Sequence, residues 1–83
     1  MFGEPRRIKY VIIQDSTPIL FPVYIDHSSM ANKENVESAG ECEISAHEGQ
    51  VVVWCGGRSV SLDVKSRPED ANTIKRWLVT PVW

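Results

Sequence analysis

This 83-residue chain has no strong excess of charge of either sign and no long hydrophobic run. Its formal net charge is −2 at pH 7, whereas proteins that bind nucleic acid by bulk electrostatics normally carry a clustered excess of Lys and Arg. The apolar stretch at residues 10–13 is far too short to span a bilayer. No apolar segment follows the basic pair near the N-terminus, so we predict a cytoplasmic protein without a signal peptide.

Cysteine is scarce, and no Cys-x-x-Cys pair occurs. Cys42 and Cys55 are predicted to be reduced and packed as small apolar side chains rather than joined in a disulfide. Together with His27 and His47 they are the only soft metal ligands of the chain. Structural zinc sites usually present ligands in pairs a few residues apart, and this spacing is missing, so we predict neither a metal site nor a cofactor.

The composition is that of an ordinary globular protein, with 42% hydrophobic and 24% charged residues. The length fits one domain over residues 1–83. A chain of this size has a small core, in which three tryptophans and two phenylalanines are expected to supply much of the buried area.

The first 34 residues predict two strands followed by a short helical segment. Residues 8–14 have apolar side chains on both parities, which is typical of a strand buried on both faces. Residues 15–18 favour a turn, and residues 19–25 an antiparallel second strand, which Pro22 places at a sheet edge or a bulge because proline has no amide hydrogen. Residues 26–29 offer helix-capping side chains, and residues 30–34 after them predict a short helix or a helical turn.

Residues 36–45 alternate as a third strand with a core face and a solvent face. Gly40 in mid-strand indicates a bulge or a close backbone approach. The predicted core face consists of Val36, Ser38, Gly40, Cys42 and Ile44, and the predicted solvent face of Glu37, Ala39, Glu41, Glu43 and Ser45.

The second half of the chain predicts a meander covered by a helix. A turn at residues 46–50 leads to a strand at 51–55, a hairpin turn at Gly56–Gly57 and a strand at 59–64 with Val60, Leu62 and Val64 inward. Ser66 is predicted to cap a helix that ends before Pro81, with Glu69 reaching back to the cap. The predicted apolar stripe of this helix is Ala71, Ile74, Trp77 and Leu78.

The predicted fold class is therefore α+β, an antiparallel and strongly twisted sheet of about five strands, curled toward a barrel, with one C-terminal helix packed on a face.

Several segments resemble a set of small uncharacterised proteins from bacteria and phages. They are Tyr10-Val11-Ile12, residues 17–21, His27-Ser28-Ser29-Met30-Ala31, Ser38-Ala39-Gly40, residues 57–62 and Ser66-Arg67-Pro68-Glu69-Asp70-Ala71, so the resemblance spans about residues 10–78. That set implies no catalytic residues, and its association with phages implies an accessory role.

No set of residues predicts catalysis. Asp26, His27 and Ser28 are the residue types of a hydrolase triad, but consecutive residues cannot converge as a triad does, and a turn is the better interpretation. Neither cysteine shows an activating context beside His47. We therefore predict that the protein is not an enzyme.

Two features indicate a binding role. Glu37, Glu41 and Glu43 form an acidic stripe that could oppose a basic protein surface, although a solubilising face explains it too. Trp54 and Trp83 could anchor a partner, or complete the core.

We predict a non-catalytic protein-binding module, an accessory factor of a phage or mobile element that antagonises a host defence system such as CRISPR and that could also form a homodimer. The alternative is a small regulator that binds nucleic acid through basic residues, namely Arg6, Arg7, Arg58, Lys75 and Arg76.

Overall fold

The computed structural model describes residues 6–79, which form a sheet, a small ribbon and a helix. The sheet contains four antiparallel strands in the order β2-β1-β3-β4. The α+β class and the helix on one face are confirmed, whereas the sheet has four strands and is not a closed barrel. The elements are β1 (Arg6–Ile13), β2 (Thr17–Phe21), β3 (Val36–His47), β4 (Gln50–Gly56), a ribbon of β5 (Arg58–Ser59) and β6 (Val64–Lys65), and α1 (Asp70–Val79).

Strand β1 lies between β2 and β3 and is buried on both faces, as its sequence predicts. Strand β2 lies at an edge of the sheet and ends at Phe21, next to Pro22. The predicted continuation of this strand to residue 25 is wrong, because Pro22 has no amide hydrogen and the chain turns there, with the Ile25 N–H donating to the Pro22 carbonyl at 3.1 Å.

Two small cores lie on opposite faces of the sheet. We call the first the helix face, because Tyr10, Ile12 and Cys42 pack there with Ile74 of α1. The second is the ribbon face, where Leu62 covers part of the sheet. Its buried members are Val11, Phe21, Ala39 and Leu62. The prediction that Ala39 faces solvent is wrong, because the residues between β5 and β6 cover it.

A bulge changes the alternation at the start of β3. Ile12 pairs with Ser38 and Ile13 with Val36, so Glu37 is the extra residue. The bulge moves Val36 onto the ribbon face. The prediction that Val36 and Ser38 share one face of the strand is therefore wrong.

The close approach at Gly40 is confirmed. A Cβ atom on this residue would lie 2.5 Å from the carbonyl oxygen of Gly56 on the neighbouring strand. Only glycine fits without moving one of the two backbones.

The chain between β2 and β3 forms helical turns, one of the two predicted alternatives, and no α-helix. It contains two 3-10 turns, His27–Ser29 and Lys33–Asn35, and a third 3-10 turn, Gln14–Ser16, joins β1 to β2. The β3–β4 hairpin has a two-residue loop of Glu48 (φ 51°) and Gly49 (φ 78°), shorter than the predicted turn. Positive φ at both loop residues is characteristic of a type I′ turn.

The predicted hairpin at Gly56–Gly57 is wrong. Gly57 adopts a positive φ of 77°, and the chain leaves the sheet so that β5 pairs with β6 and not with β4. Val60 is therefore 78% exposed, although Leu62 is buried as predicted.

The helix starts differently from the sequence prediction. The Ser66 hydroxyl donates to the Gly57 carbonyl at 2.8 Å instead of capping the helix, and the Asp70 carboxylate, not that of Glu69, accepts the Arg67 amide N–H at 2.8 Å. Ile74 is buried, but Trp77 is exposed, so the buried stripe is narrower than predicted. Within residues 6–79, no helix is long and apolar enough to cross a membrane.

Candidate functional site

The structure brings three of the predicted binding residues onto one surface. Glu43 lies directly opposite Trp54 across the β3–β4 ladder, and Glu41 shares its face. Glu37 lies apart, in the bulge, and Trp83 lies outside the described residues. We call the uncovered part of the ribbon face the open patch, which consists of Arg7, Lys9, Glu41, Glu43, Val52 and Trp54.

Basic residues balance the acidic stripe. Glu43 Oε1 lies 3.2 Å from an Arg7 guanidinium nitrogen, and Glu37 Oε1 lies 3.5 Å from one of Arg67. Glu41 faces Lys9 across the β1–β3 ladder, and the Lys9 ammonium donates to the Ile25 carbonyl oxygen at 2.9 Å. Exposed ion pairs add little stability, but each of the two arginine pairs places a guanidinium beside a carboxylate of the stripe. The stripe is therefore not a surface of uncompensated negative charge.

Trp54 is the largest apolar side chain of the open patch and is 61% exposed. Its six-membered ring lies over Gly56, because a Cβ atom there would be 2.7 Å from Trp54 Cη2. The glycine thus makes room for the indole to lie along the strand. Val52, two residues earlier on the same face, is 48% exposed.

Among residues 6–79, no strand pairs with the outer edge of β4. The pair that closes a two-residue hairpin loop, here His47 and Gln50, is hydrogen-bonded, and hydrogen-bonded and non-hydrogen-bonded pairs alternate from there. The N–H and C=O groups of Val51, Val53 and Cys55 therefore point away from β3, toward the free edge.

This edge lacks two of the features that usually prevent strand addition, charged residues and proline. Strand β4 contains neither a charged residue nor a proline, whereas β2 at the opposite edge contains Pro18 and is followed by Pro22. Natural edge strands are normally protected by charges, prolines or bulges. Neither charge nor proline therefore blocks strand addition along β4, against which α1 packs from the helix face, whereas prolines block it at β2.

A polar cavity of about 240 Å³ adjoins the open patch. His27 at its wall is buried, with Nε2 2.9 Å from the Gly40 carbonyl oxygen and its ring edge-to-face with Phe21. The Ser28 amide binds Ser61 Oγ at 3.2 Å. His27 is used for packing, so the structure does not assemble Asp26, His27 and Ser28 as a triad.

The basic residues of the alternative function do not form one patch. Arg58 lines the cavity with Lys9 on the ribbon side of the sheet. Lys75 and Arg76 belong to α1 on the opposite side. Phosphate binding is favoured by basic groups gathered along one surface, and this arrangement divides them.

A buried polar cluster escaped the sequence analysis. Asp70 is fully buried and accepts hydrogen bonds from Tyr10 Oη at 2.6 Å, Ser38 Oγ at 2.8 Å, and the Arg67 amide and Nε at 2.8 and 3.2 Å. Burial and the hydrogen bond to Asp70 raise the pKa of Tyr10 well above its ordinary value. The sequence signal for this cluster is an acidic residue in the first turn of a helix, a role that the sequence pattern gives to Glu69 and the structure to Asp70.

The two cysteines meet on the helix face. Cys42 lies directly opposite Cys55, and both are reduced. His47 lies beside Glu48 at the hairpin end, 3.9 Å from its carboxylate, and His27 lies on the Gly40 carbonyl. Within the described part of the chain, no three His, Cys, Asp or Glu side chains are grouped to hold a metal ion.

Comparison of the chain with protein-family models, with curated proteins and with solved structures finds no match. The assignment of a function therefore depends on the geometry of the open patch and of the β4 edge.

Proposed function

We propose that this protein is a non-catalytic protein-binding module, and that its partner docks an extended segment on the free edge of β4 beside Trp54. The single observation that carries the proposal is an exposed tryptophan, positioned over Gly56, on an edge strand without charge or proline.

The backbone supplies the first part of the binding energy. The outward N–H and C=O groups of Val51, Val53 and Cys55 match the spacing of an added strand. An incoming segment would extend the four-stranded sheet by one strand. Because main-chain groups carry these contacts, they give affinity with little sequence preference.

Side chains of the open patch supply the specificity. Trp54 and Val52 lie on one face of β4, next to the position of the added strand. Tryptophan is enriched at the centres of interfaces, and an indole already seated on Gly56 loses little freedom on binding. The Arg7–Glu43 ion pair lies beside Trp54 and would form part of a polar rim.

The partner class follows from the resemblance to phage-associated proteins. We propose a bacterial host protein, and a defence complex such as a CRISPR effector is the first to test. The charge balance of the stripe favours a partner held chiefly by strand addition and apolar contact, with basic groups of the partner reaching Glu41 and Glu43 at the rim.

Two pairs of matched variants test the surface. Trp54→Ala and Val52→Lys alter the β4 surface, and Trp77→Ala and Val79→Lys make the same changes at exposed positions of α1. Each variant would be used to capture partners from a nuclease-treated bacterial extract. We expect the β4 variants to lose the partner and the α1 variants to keep it.

Opposite results would overturn the proposal. Loss of capture by the α1 variants alone would move the site to the helix. If the unmodified protein captured a partner from an untreated extract but not from the nuclease-treated one, a nucleic acid would be favoured. A second copy of the chain could also occupy this surface. Light scattering on the purified protein measures its molar mass, and a dimer that dissociates on the Trp54→Ala change would identify that occupant.

A further inference from the structure

The β3–β4 hairpin places two thiols side by side. Cys42 and Cys55 are direct partners in an uninterrupted antiparallel register that runs from the loop to Gly56. The pair lies an odd number of positions from the hydrogen-bonded pair that closes the loop, so it is a non-hydrogen-bonded pair.

This pair type has the geometry that a disulfide needs. Opposed Cα atoms of a non-hydrogen-bonded pair are about 4.5 Å apart, and their side chains are closer than in the other pair type. Disulfides span Cα separations of about 4.4–6.8 Å. Closing the bond between Cys42 and Cys55 therefore requires rotation of the side chains and little movement of the backbone.

The two thiols have different environments. A hydrogen bond with Cys42 lowers the pKa of Cys55, whereas the same interaction, together with burial, raises the pKa of Cys42. Cys55 is half-buried on an edge strand, and Cys42 is fully buried. Cys55 is thus the thiol that a reagent reaches first, because Cys42 is fully buried.

We propose that Cys42 and Cys55 are a modification site that forms a reversible cross-strand disulfide by exchange with low-molecular-weight disulfides. This inference is independent of the proposed binding function. It differs from the sequence prediction, which treats the two cysteines only as packing residues.

The exchange proceeds in two steps. The Cys55 thiolate attacks one sulfur of the small disulfide, forms a mixed disulfide and releases the other half as a thiolate, which takes the proton of Cys42. The Cys42 thiolate then attacks Cys55 Sγ and expels the second half, which is protonated by water. Two protein thiols are oxidised, and one small disulfide is reduced to two thiols.

The test uses the folded protein in buffers of reduced and oxidised glutathione. After acid quenching and alkylation, the intact mass should be that of a chain lighter by two hydrogen atoms. This chain should carry neither an alkyl group on its two cysteines nor an attached glutathione. Excess reduced glutathione should restore both thiols. The oxidised chain should also melt at a higher temperature, because the bond ties β3 to β4.

Single variants assign the two roles. Cys42→Ser should accumulate glutathione on Cys55, and Cys55→Ser should react with glutathione disulfide at least about tenfold more slowly, because the remaining thiol is buried. Cys42→Ala serves if the serine variant does not fold, as judged by circular dichroism.

Three results would contradict the inference. The first is stable glutathionylation of Cys55 in the unmodified chain without an internal disulfide. The second is bonding only between chains. The third is oxidation that occurs only in denaturant.

Discussion

At the residue scale, Asp70 joins the start of α1 to the sheet. Its carboxylate accepts from the backbone of Arg67, as a residue in the first helical turn can do, and also from Tyr10 on β1 and Ser38 on β3. A buried carboxylate is tolerated only when its oxygens are fully hydrogen-bonded. The side chain thus anchors α1 to β1 and β3.

Removing this carboxylate is expected to be severely destabilising. Asp70→Ala would leave the donors of Tyr10, Ser38 and Arg67 without their acceptor, at a cost of about 3–5 kcal/mol in the free energy of unfolding. The adjacent exposed Glu69→Ala should cost less than about 0.5 kcal/mol. Urea denaturation of both variants measures the difference, and equal stability of the two would contradict the role given to Asp70.

Tyr10 is expected to make the protein sensitive to alkali. Its pKa in the folded protein is raised by burial and by the hydrogen bond to Asp70, above the value of about 10 in the unfolded chain. The folded state therefore holds the proton more tightly, and the stabilisation is complete below about pH 10 and is lost as the pH rises above it.

This titration can be isolated because the chain has only two tyrosines. In a Tyr24→Phe background, tyrosinate absorbance should appear only together with the loss of structure seen by circular dichroism. A phenol that ionises while the fold persists would be inconsistent with the buried position of Tyr10.

At the element scale, close contact between β3 and β4 depends on Gly40. The strand pattern in the sequence predicts a bulge or a close approach here, and the structure contains both, the bulge at Glu37 and the approach at Gly40. The alternation of side chains in the sequence cannot assign the bulge to Glu37 and the close approach to Gly40, because the register of β3 against β1 decides where the bulge lies.

Two glycine substitutions separate crowding from backbone strain. Gly40→Ala would place a Cβ atom 2.5 Å from the rigid Gly56 carbonyl, and we expect a cost of about 3 kcal/mol or more. Gly49→Ala meets no atom within 4 Å but keeps a positive φ of 78°, and should cost about 1 kcal/mol. Thermal melts rank the two, and the reverse order would rule out close strand contact at Gly40.

At the scale of the whole molecule, the charge of the open patch tests how a partner is held. Glu43 and Glu37 each pair with one arginine and have similarly exposed side chains. Only Glu43 lies opposite Trp54. A comparison of the two residues therefore separates a local effect on binding from a general effect of charge.

Reversal of either charge should lower stability by no more than about 1 kcal/mol. Glu43→Lys should weaken partner binding about tenfold at low salt, and the effect should shrink as salt is added, whereas Glu37→Lys should bind normally. Titration calorimetry at two ionic strengths measures this once the partner is in hand. Equal weakening by both variants would restore the acidic stripe as the binding feature.

The sequence by itself determined the features that depend on local chemistry. Strand β1 is predicted from apolar residues on both parities, the edge position of β2 from the missing amide of Pro22, and α1 from its helical periodicity. These signals act within a few residues, and no tertiary contact opposes them.

Only the tertiary structure decided which surfaces are covered and which groups meet. Alternation placed Ala39 on a solvent face and 59–64 in the sheet, but the chain leaves the sheet at Gly57 and its ribbon covers Ala39. The contacts of Asp70, the pairing of Cys42 with Cys55 and the free edge beside Trp54 join residues far apart in the chain. Such contacts depend on strand order and register, because these decide which distant residues become neighbours.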